Sequence, residues 1–222
     1  MIDSKRKNIF WEVIDVLNKS SLLPHIVIIG SWAEYLFSYY FEQEFSPNFM
    51  TRDIDLYFGN FYLEVPGSES LKENFKAAGF IFSENYGQSG RFFKEGIEVE
   101  FLSSTLGKGA GIIELPLMGV KAEKLQSLSL LTPVAVKARG YTILIPTPQS
   151  YIAHKLYINP IRREKEKQVK DIEAIRYLLS QLQHMPHELK NLQELIENYP
   201  SEIKEQILSV AKFNGLKIIE AD

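Results

Sequence analysis

Residues 25–58 read HIVIIGSWAEYLFSYYFEQEFSPNFMTRDIDLYF and contain the features that decide the fold class. The apolar run at residues 26–29 predicts a buried strand, and the aromatic segment after a glycine-serine turn predicts a helix. The chain then returns as a second strand that carries Asp53 and Asp55. Because side chains alternate across a strand, these two carboxylates point to the same face. Such a pair can chelate a divalent cation.

The glycine-serine turn has a structural and a functional interpretation. Gly30 would make a tight turn and Ser31 would cap the following helix, with Glu34 three residues later completing a capping box. A serine at a helix N-terminus can also offer its hydroxyl, backbone N–H groups and the helix dipole to a phosphate. The two interpretations are compatible. Thr51 and Arg52 are turn residues in the first view and contact a triphosphate in the second.

A third acidic strand follows some distance along the chain. The segment IEVEFL, residues 97–102, alternates carboxylates with apolar residues and supplies Glu98 and Glu100. Three carboxylates on neighbouring strands would form a ligand set for two Mg²⁺ ions in phosphoryl transfer. We expect Glu100 to be the third carboxylate because it lies nearer the end of the apolar strand. Glu98 lies on the same face and remains an alternative, as does a solvated strand face without function.

Composition excludes several classes of protein and site. With 222 residues, of which 45% are hydrophobic, the chain can bury a large core. The net charge of −3 argues against a general nucleic-acid coat, although a local basic patch could still bind phosphates. The absence of cysteine excludes disulfides, thiolate zinc sites and cysteine nucleophiles. No signal-like or membrane-length apolar segment is present, so we expect a soluble cytoplasmic protein.

The remaining patterns predict two domains. A helix precedes the first strand, a short helix ends at Gly79, and several strand patterns follow. Glycines within residues 107–111 indicate a loop, and a hairpin turns at Arg139-Gly140. From Pro148 onward the pattern is helical. We therefore expect an α/β (α+β) fold, with a mixed sheet flanked by helices in residues 1–147 and a C-terminal helical lobe in residues 148–222.

Two groups of motifs together resemble a known superfamily. Gly30-Ser31, then Asp53-x-Asp55, then Glu100 in an apolar strand resembles the signature of DNA polymerase β-type nucleotidyltransferases. The segment PTPQSYIAHKLYINPIRREKEKQVKDIEAIRYLL, residues 146–179, resembles the second block of the abortive-infection and toxin-like nucleotidyltransferases. The combined pattern GSW…TRDIDL…HK…R…KD extends over residues 26–180.

This resemblance implies the nucleotidyltransferase fold and two sets of site residues. The catalytic residues, which would bind Mg²⁺ or Mn²⁺, are Asp53, Asp55 and Glu100. The residues that would bind the nucleotide are Gly30, Ser31, Arg52, Lys155 and Asp171. In this assignment Lys155 contacts the phosphates, and Asp171 orients that lysine or a basic neighbour.

The sequence departs from the family pattern at two positions. Glu100 stands where aspartate is more usual, which adds a methylene group to one ligand. Ala174 stands where a second acidic residue is common, and Glu173 could take that role. The cations of the helical block have two further interpretations: they form a solvated surface, or they bind the phosphates of an RNA. These cations are Arg162, Arg163, Lys165, Lys167 and Lys170.

The activity implied by the resemblance is transfer of an NMP group from an NTP, such as ATP, to a hydroxyl, with pyrophosphate as leaving group. The acceptor would be a tRNA 3′ end or a protein, as in toxin-like relatives that have a cognate antitoxin. A small-molecule acceptor of the aminoglycoside type is the second option. A catalytically inactive module that binds nucleotide or RNA is the third. The sequence indicates neither the base of the NTP nor an oligomeric state.

Overall fold

A mixed β-sheet forms the centre of the first part of the chain. The computed structural model describes residues 4–42, 51–85, 87–104 and 111–218. The strands are β1 (Ile26–Ile29), β2 (Asp53–Phe58), β3 (Ile81–Ser83), β4 (Arg91–Lys94), β5 (Ile97–Ser103), β6 (Gly111–Leu115), β7 (Val120–Lys124), β8 (Pro133–Ala138) and β9 (Tyr141–Pro146). The helices are α1 (Ser4–Lys19), α2 (Gly30–Tyr40), α3 (Leu71–Ala77), α4 (Pro148–Ile158), α5 (Lys165–Leu182), α6 (Pro186–Glu197) and α7 (Ser201–Phe213).

The chain divides into two units. The first extends to Ser129 and continues over Pro133–Ile145, and the second comprises Leu130–Thr132 and the residues from Pro146 onward. The first contains the sheet together with α1, α2 and α3. The second contains α4 to α7. The mixed α/β fold with a C-terminal group of helices confirms the predicted fold class.

Strand order places the carboxylate-bearing strands side by side. The sheet runs β3-β4-β5-β2-β1-β9-β8, while β7 pairs with β5 and β6 pairs with β7. Strands β2 and β5 are parallel, and so are β1 and β9. The β1–β2 and β4–β5 pairs are antiparallel, so the sheet is mixed. Strand β2 therefore lies between β1, which leads into α2, and β5, which carries the third acidic segment.

Alternation on β2 and β5 separates a buried face from a polar face. Ile54 and Leu56 of β2, and Val99 and Phe101 of β5, are completely buried. The intervening carboxylates lie on the opposite face, as the period of two requires. Burial of an apolar side chain contributes roughly 1.5–3 kcal/mol. A one-residue slip in register would expose this apolar set, so burial of the core fixes the position of the carboxylates.

Helix α2 is anchored by aromatic packing. The ring of Trp32 stacks on Phe10 of α1, with centroids 4.5 Å apart and planes 7° apart. Both side chains are completely buried. Tyr35 packs edge-on against Phe10, with centroids 5.9 Å apart. Because α2 starts directly after β1, this packing fixes the glycine-serine turn relative to the sheet.

Two local predictions differ from the structure. The predicted capping box is wrong: α2 begins at Gly30, and its N-cap is Ile29, whose side chain makes no capping hydrogen bond. Ser31 lies inside the first turn, where its hydroxyl bonds a distant residue instead. The predicted loop is also too long, because Gly111 begins β6 and a β6–β7 hairpin follows it. The glycines at positions 107 and 109 lie outside the described residues.

The second unit is built around α4. The Thr147 hydroxyl accepts a hydrogen bond from the backbone N–H of Ser150, and Pro148 occupies the first turn, so the start of this helix is well capped. Helix α4 contacts α5, α6 and α7. Within the described residues, no helix is both long enough and apolar enough to cross a membrane.

Candidate active site

Two carboxylates meet across the parallel pair β2–β5. The register places Asp55 opposite Glu100 and Asp53 opposite Glu98. Burial, followed by the negative charge of Asp55, raises the pKa of the Glu100 carboxyl from 4.5 to about 8. Its side chain is 18% exposed, and its Oε2 atom is buried and has no hydrogen bond within the part of the chain that the structure describes. The structure thus holds a carboxyl group that resists ionisation beside a second carboxylate.

Arg91 of β4 contacts both acidic residues of β5. Its Nη1 lies 2.5 Å from Glu98 Oε1, whereas its Nη2 lies 3.3 Å from Glu100 Oε2. The positive charge of Arg91 opposes the rise in the pKa of Glu100 but does not cancel it. Arg91 therefore forms a short ion pair with Glu98 and a longer contact with Glu100.

Gly30 lies directly against the carboxylate of Asp55. Its φ is +67°, and a Cβ at this position would lie 2.5 Å from Asp55 Oδ2. The backbone conformation and the close approach both require glycine. The first turn of α2 thereby approaches the Asp55 carboxylate directly.

Ser31 and Thr51 connect α2 to the start of β2. The two hydroxyl oxygens are 2.8 Å apart, and the Thr51 N–H donates to Ser31 Oγ at 3.1 Å. The Thr51 hydroxyl also donates to the backbone carbonyl of Asp53 at 3.1 Å. This network couples the glycine-serine turn to the strand that carries both aspartates.

Asp53 and Arg52 are both exposed at the beginning of β2. The Arg52 carbonyl accepts a hydrogen bond from the Glu98 N–H at 3.0 Å, so its backbone continues the β2–β5 pairing. Among the described residues, no three His, Asp or Glu side chains are arranged as a metal site. The fit to a divalent cation consists of the Asp55–Glu100 pair, in which two carboxyl groups, both hard oxygen donors, are register partners, and one buried Glu100 oxygen has no hydrogen bond from the described residues.

A separate cluster in the second unit surrounds Asp171. Its side chain is 4% exposed; Lys155 Nζ lies 2.5 Å from Oδ1, and Arg162 Nε lies 3.2 Å from Oδ2. Lys155 Nζ also lies 5.2 Å from the centroid of the Tyr151 ring. One buried carboxylate therefore holds two cations in fixed positions.

His154, next to Lys155, is buried and neutral. Burial, followed by the charges of Lys155 and Arg162, lowers the pKa of the His154 imidazole to about 3.

Beyond this cluster the basic segment is open to solvent: Arg163, Lys165, Lys167 and Lys170 are exposed.

Arg91 is the site residue that the sequence analysis missed. Its register partner is Glu100, from a strand joined to β4 by a two-residue turn. Opposite charges that face each other across an antiparallel pair stabilise that pair. The segments RFFK, residues 91–94, and IEVE, residues 97–100, contain such charges. This cross-strand charge pattern is the signal by which the contact could have been predicted.

Comparisons with known proteins identify a family and similar folds. A family model described as nucleotidyltransferase matches residues 8–196. A search of curated proteins finds no match. Similar folds occur in the solution structure of the antibiotic-resistance factor ANT(2″)-Ia and in the crystal structure of ANT(2″)-Ia in complex with adenylyl-2″-tobramycin.

The solution structure has a TM-score of 0.51 and 12% identity, and the alignment covers 96% of this chain and 95% of that one. The crystal structure has a TM-score of 0.51 and 13% identity, with 95% and 99% of the two chains covered. An antigenic nucleotidyltransferase-like protein from Paracoccidioides brasiliensis has a TM-score of 0.43 and 15% identity, with 90% and 91% covered. At these identities the two ANT(2″)-Ia structures establish a shared fold and no more.

Proposed function

Because the chain belongs to the nucleotidyltransferase family whose model matches residues 8–196, we propose that it transfers an NMP group from an NTP to an acceptor hydroxyl, using the carboxylates of β2 and β5. The observation that carries this proposal is the register of those strands, which makes Asp55 and Glu100 neighbours. Gly30 supports it, because only glycine leaves room for the Asp55 carboxylate at the turn.

A divalent cation, Mg²⁺ or Mn²⁺, would be held by Asp55 and Glu100, with Asp53 completing the set from the same face of β2. When bound, it would neutralise charge on the triphosphate and on the attacking oxygen. Glu98 is a less suitable ligand than Glu100 because its carboxylate is already paired with Arg91 at 2.5 Å.

The chain's own groups would position the substrates. The first turn of α2 supplies backbone N–H groups and the positive end of a helix dipole to the nucleotide phosphates. Ser31 contributes its hydroxyl, which the contact with Thr51 keeps in place. Arg52, exposed at the start of β2, is available to a phosphate as a further cation. As a ligand of the cation, Glu100 would also help to activate the acceptor hydroxyl.

Lys155 and Asp171 are the further residues that we propose for nucleotide binding, as the resemblance implies. A lysine is a suitable point charge for a polyphosphate, and Asp171 holds Lys155 Nζ at 2.5 Å. The same aspartate also forms an ion pair with Arg162, so this arginine has a structural role. We also propose a division into two domains: residues 1–147 form the catalytic domain, and residues 148–222 form a C-terminal helical domain.

Two classes of acceptor have support. The exposed cations at the start of α5 are suited to the phosphates of an RNA such as tRNA. The adduct in the similar structure, adenylyl-2″-tobramycin, supports a small molecule with hydroxyl groups. A protein acceptor and a toxin-like role with a cognate antitoxin remain predictions from the sequence.

The acceptor is identified by incubating the protein with Mg²⁺ and each α-labelled NTP against bulk tRNA, total cellular protein and an aminoglycoside panel. Asp53→Ala protein serves as the control for transfer at the proposed site. The proposal is supported if the unmodified chain transfers label to one acceptor class and Asp53→Ala does not. Nucleotide binding without transfer to any class would instead favour a catalytically inactive module of the same fold.

A further inference from the structure

The guanidinium of Arg91 is shared unequally between two carboxylates. Its pair with Glu98 measures 2.5 Å, and its contact with Glu100 measures 3.3 Å without a hydrogen bond to Glu100 Oε2. This inequality is not explained by strand pairing, because the register partner of Arg91 is Glu100, while Glu98 pairs with Phe93. The side chain therefore reaches past its direct partner to the next carboxylate on the same face.

The three side chains form a partly buried row. Arg91 is 42% exposed, Glu98 is 25% exposed and Glu100 is 18% exposed. A guanidinium can bind one carboxylate in a bidentate fork, which is stronger than a single contact. In this structure the fork is divided between two residues. The oxygen atoms of Glu100 are consequently not fully occupied by Arg91.

We propose that Glu98 is a positioning residue: it draws Arg91 away from Glu100, so that Glu100 can share a divalent cation with Asp55. This inference rests on the proposed function, since it concerns the same cation site. Without the carboxylate of Glu98, Arg91 would close on Glu100 as a bidentate pair. The arginine would then compete with the cation for the same oxygens.

The test measures binding of Mn²⁺ alone, by electron paramagnetic resonance of the free ion, to the full chain and three variants. These are Glu98→Gln, Arg91→Met and the double variant. Glu98→Gln should weaken Mn²⁺ binding by about fivefold or more, a common size for coupling between charges in contact. The double variant should regain the affinity of Arg91→Met, because the competitor is absent from both.

A ligand role for Glu98 predicts a different pattern. If Glu98 bound the cation itself, the loss in Glu98→Gln would persist in the Arg91→Met background. That result, or unchanged binding in Glu98→Gln, overturns the inference. The matched control is Glu84→Gln, which removes the partner of Lys121 from an ion pair of 2.6 Å elsewhere on the sheet. It should leave Mn²⁺ affinity unchanged.

The outcomes also separate this inference from the proposed function. If Glu98→Gln binds Mn²⁺ as tightly as the unmodified chain, and the unmodified chain has transferase activity, only the inference is overturned. Mn²⁺ binding to the unmodified chain should be lost in Asp55→Asn. If the unmodified chain shows no such binding, both the inference and metal dependence are overturned. Transfer of NMP is measured separately and decides the proposed function. Thermal unfolding of each variant verifies that it is folded before binding is compared.

Discussion

The Asp55 carboxylate occupies the space where a side chain at residue 30 would begin, since a Cβ on Gly30 would lie 2.5 Å from Asp55 Oδ2. Gly30 also has a φ of +67°, which disfavours every residue with a side chain. Two independent constraints therefore act on one position. They bring the first turn of α2 into contact with β2 and place the glycine-serine turn beside the Asp55 carboxylate.

Gly30→Ala should reduce transferase activity about tenfold or more, because the methyl group displaces Asp55 and misplacement of about 1 Å can cost a hundredfold in rate. Steady-state transfer rates provide the measurement. Gly140→Ala is the matched control: Gly140 has a φ of +85° with no atom within 4 Å of a Cβ, so it shares the strain without the contact. Equal loss of activity in both variants would contradict a special role for the Gly30–Asp55 approach.

Glu100→Gln should change the pH dependence of stability. The carboxyl of Glu100 has a pKa of about 8 in the folded protein and about 4.5 when unfolded, so between these values the folded chain holds a proton that the unfolded chain has released. The contribution of Glu100 to the free energy of unfolding is therefore fully present below pH 4.5 and is lost as pH rises to about 8. The loss should be roughly 1 kcal/mol or more, since one pKa unit corresponds to about 1.4 kcal/mol.

Urea unfolding at a series of pH values, in buffer containing a chelator, measures this effect. The unmodified chain should lose stability relative to Glu100→Gln across the window from pH 4.5 to 8. Glu84→Gln, at the ion pair with Lys121, provides a charge-matched control. Parallel pH profiles for the unmodified chain and Glu100→Gln would show that Glu100 ionises normally.

Ser31→Ala should raise the KM for NTP severalfold and lower the free energy of unfolding by about 1 kcal/mol, the net contribution of a hydrogen bond. The reason is that the Ser31 hydroxyl bonds Thr51 and is also proposed to contact the phosphates. Ser38→Ala removes a hydroxyl from the same helix, where it donates to the Tyr35 carbonyl at 2.9 Å. A KM unchanged in Ser31→Ala would restrict Ser31 to a structural role.

Asp171→Ala should lower the free energy of unfolding by about 3 kcal/mol, because it removes a buried carboxylate that contacts two cations. The two cations are Lys155 and Arg162, at 2.5 and 3.2 Å. Chemical denaturation measures the change. The control is Glu164→Ala, which removes an exposed partner of Lys167 and should cost less than about 1 kcal/mol. Comparable costs for the two substitutions would contradict the buried character of the Asp171 cluster.

Local patterns were sufficient for the elements of the fold whose periodicity is strong. The strands with Asp53 and Asp55 and with Glu98 and Glu100 follow from alternation, and α5 follows from helical spacing. The β6–β7 hairpin was missed, because the glycine at position 111 resembled the end of a loop rather than the start of a strand. Element type was thus predictable where a pattern was long, and its boundaries were not.

The contacts within the site depend on register and could not be predicted from local sequence alone. Ser31 and Glu34 have the spacing of a capping box, yet the Ser31 hydroxyl bonds Thr51, which is twenty residues away. The tertiary hydrogen bond replaced the local one. Likewise, the unequal sharing of Arg91 between Glu98 and Glu100 depends on how β4 pairs with β5. The resemblance to a family predicted which carboxylates form the site, and it gave no indication of Arg91.

The most direct test of nucleotidyl transfer at this site uses a single NTP carrying both an α- and a γ-label, incubated with Mg²⁺ and the responsive acceptor. The unmodified chain should place the α-label on the acceptor and release the γ-label as pyrophosphate. Asp55→Asn should abolish both signals, while Glu84→Gln should retain them. Appearance of the γ-label on the acceptor, or equal transfer by Asp55→Asn, would contradict the account.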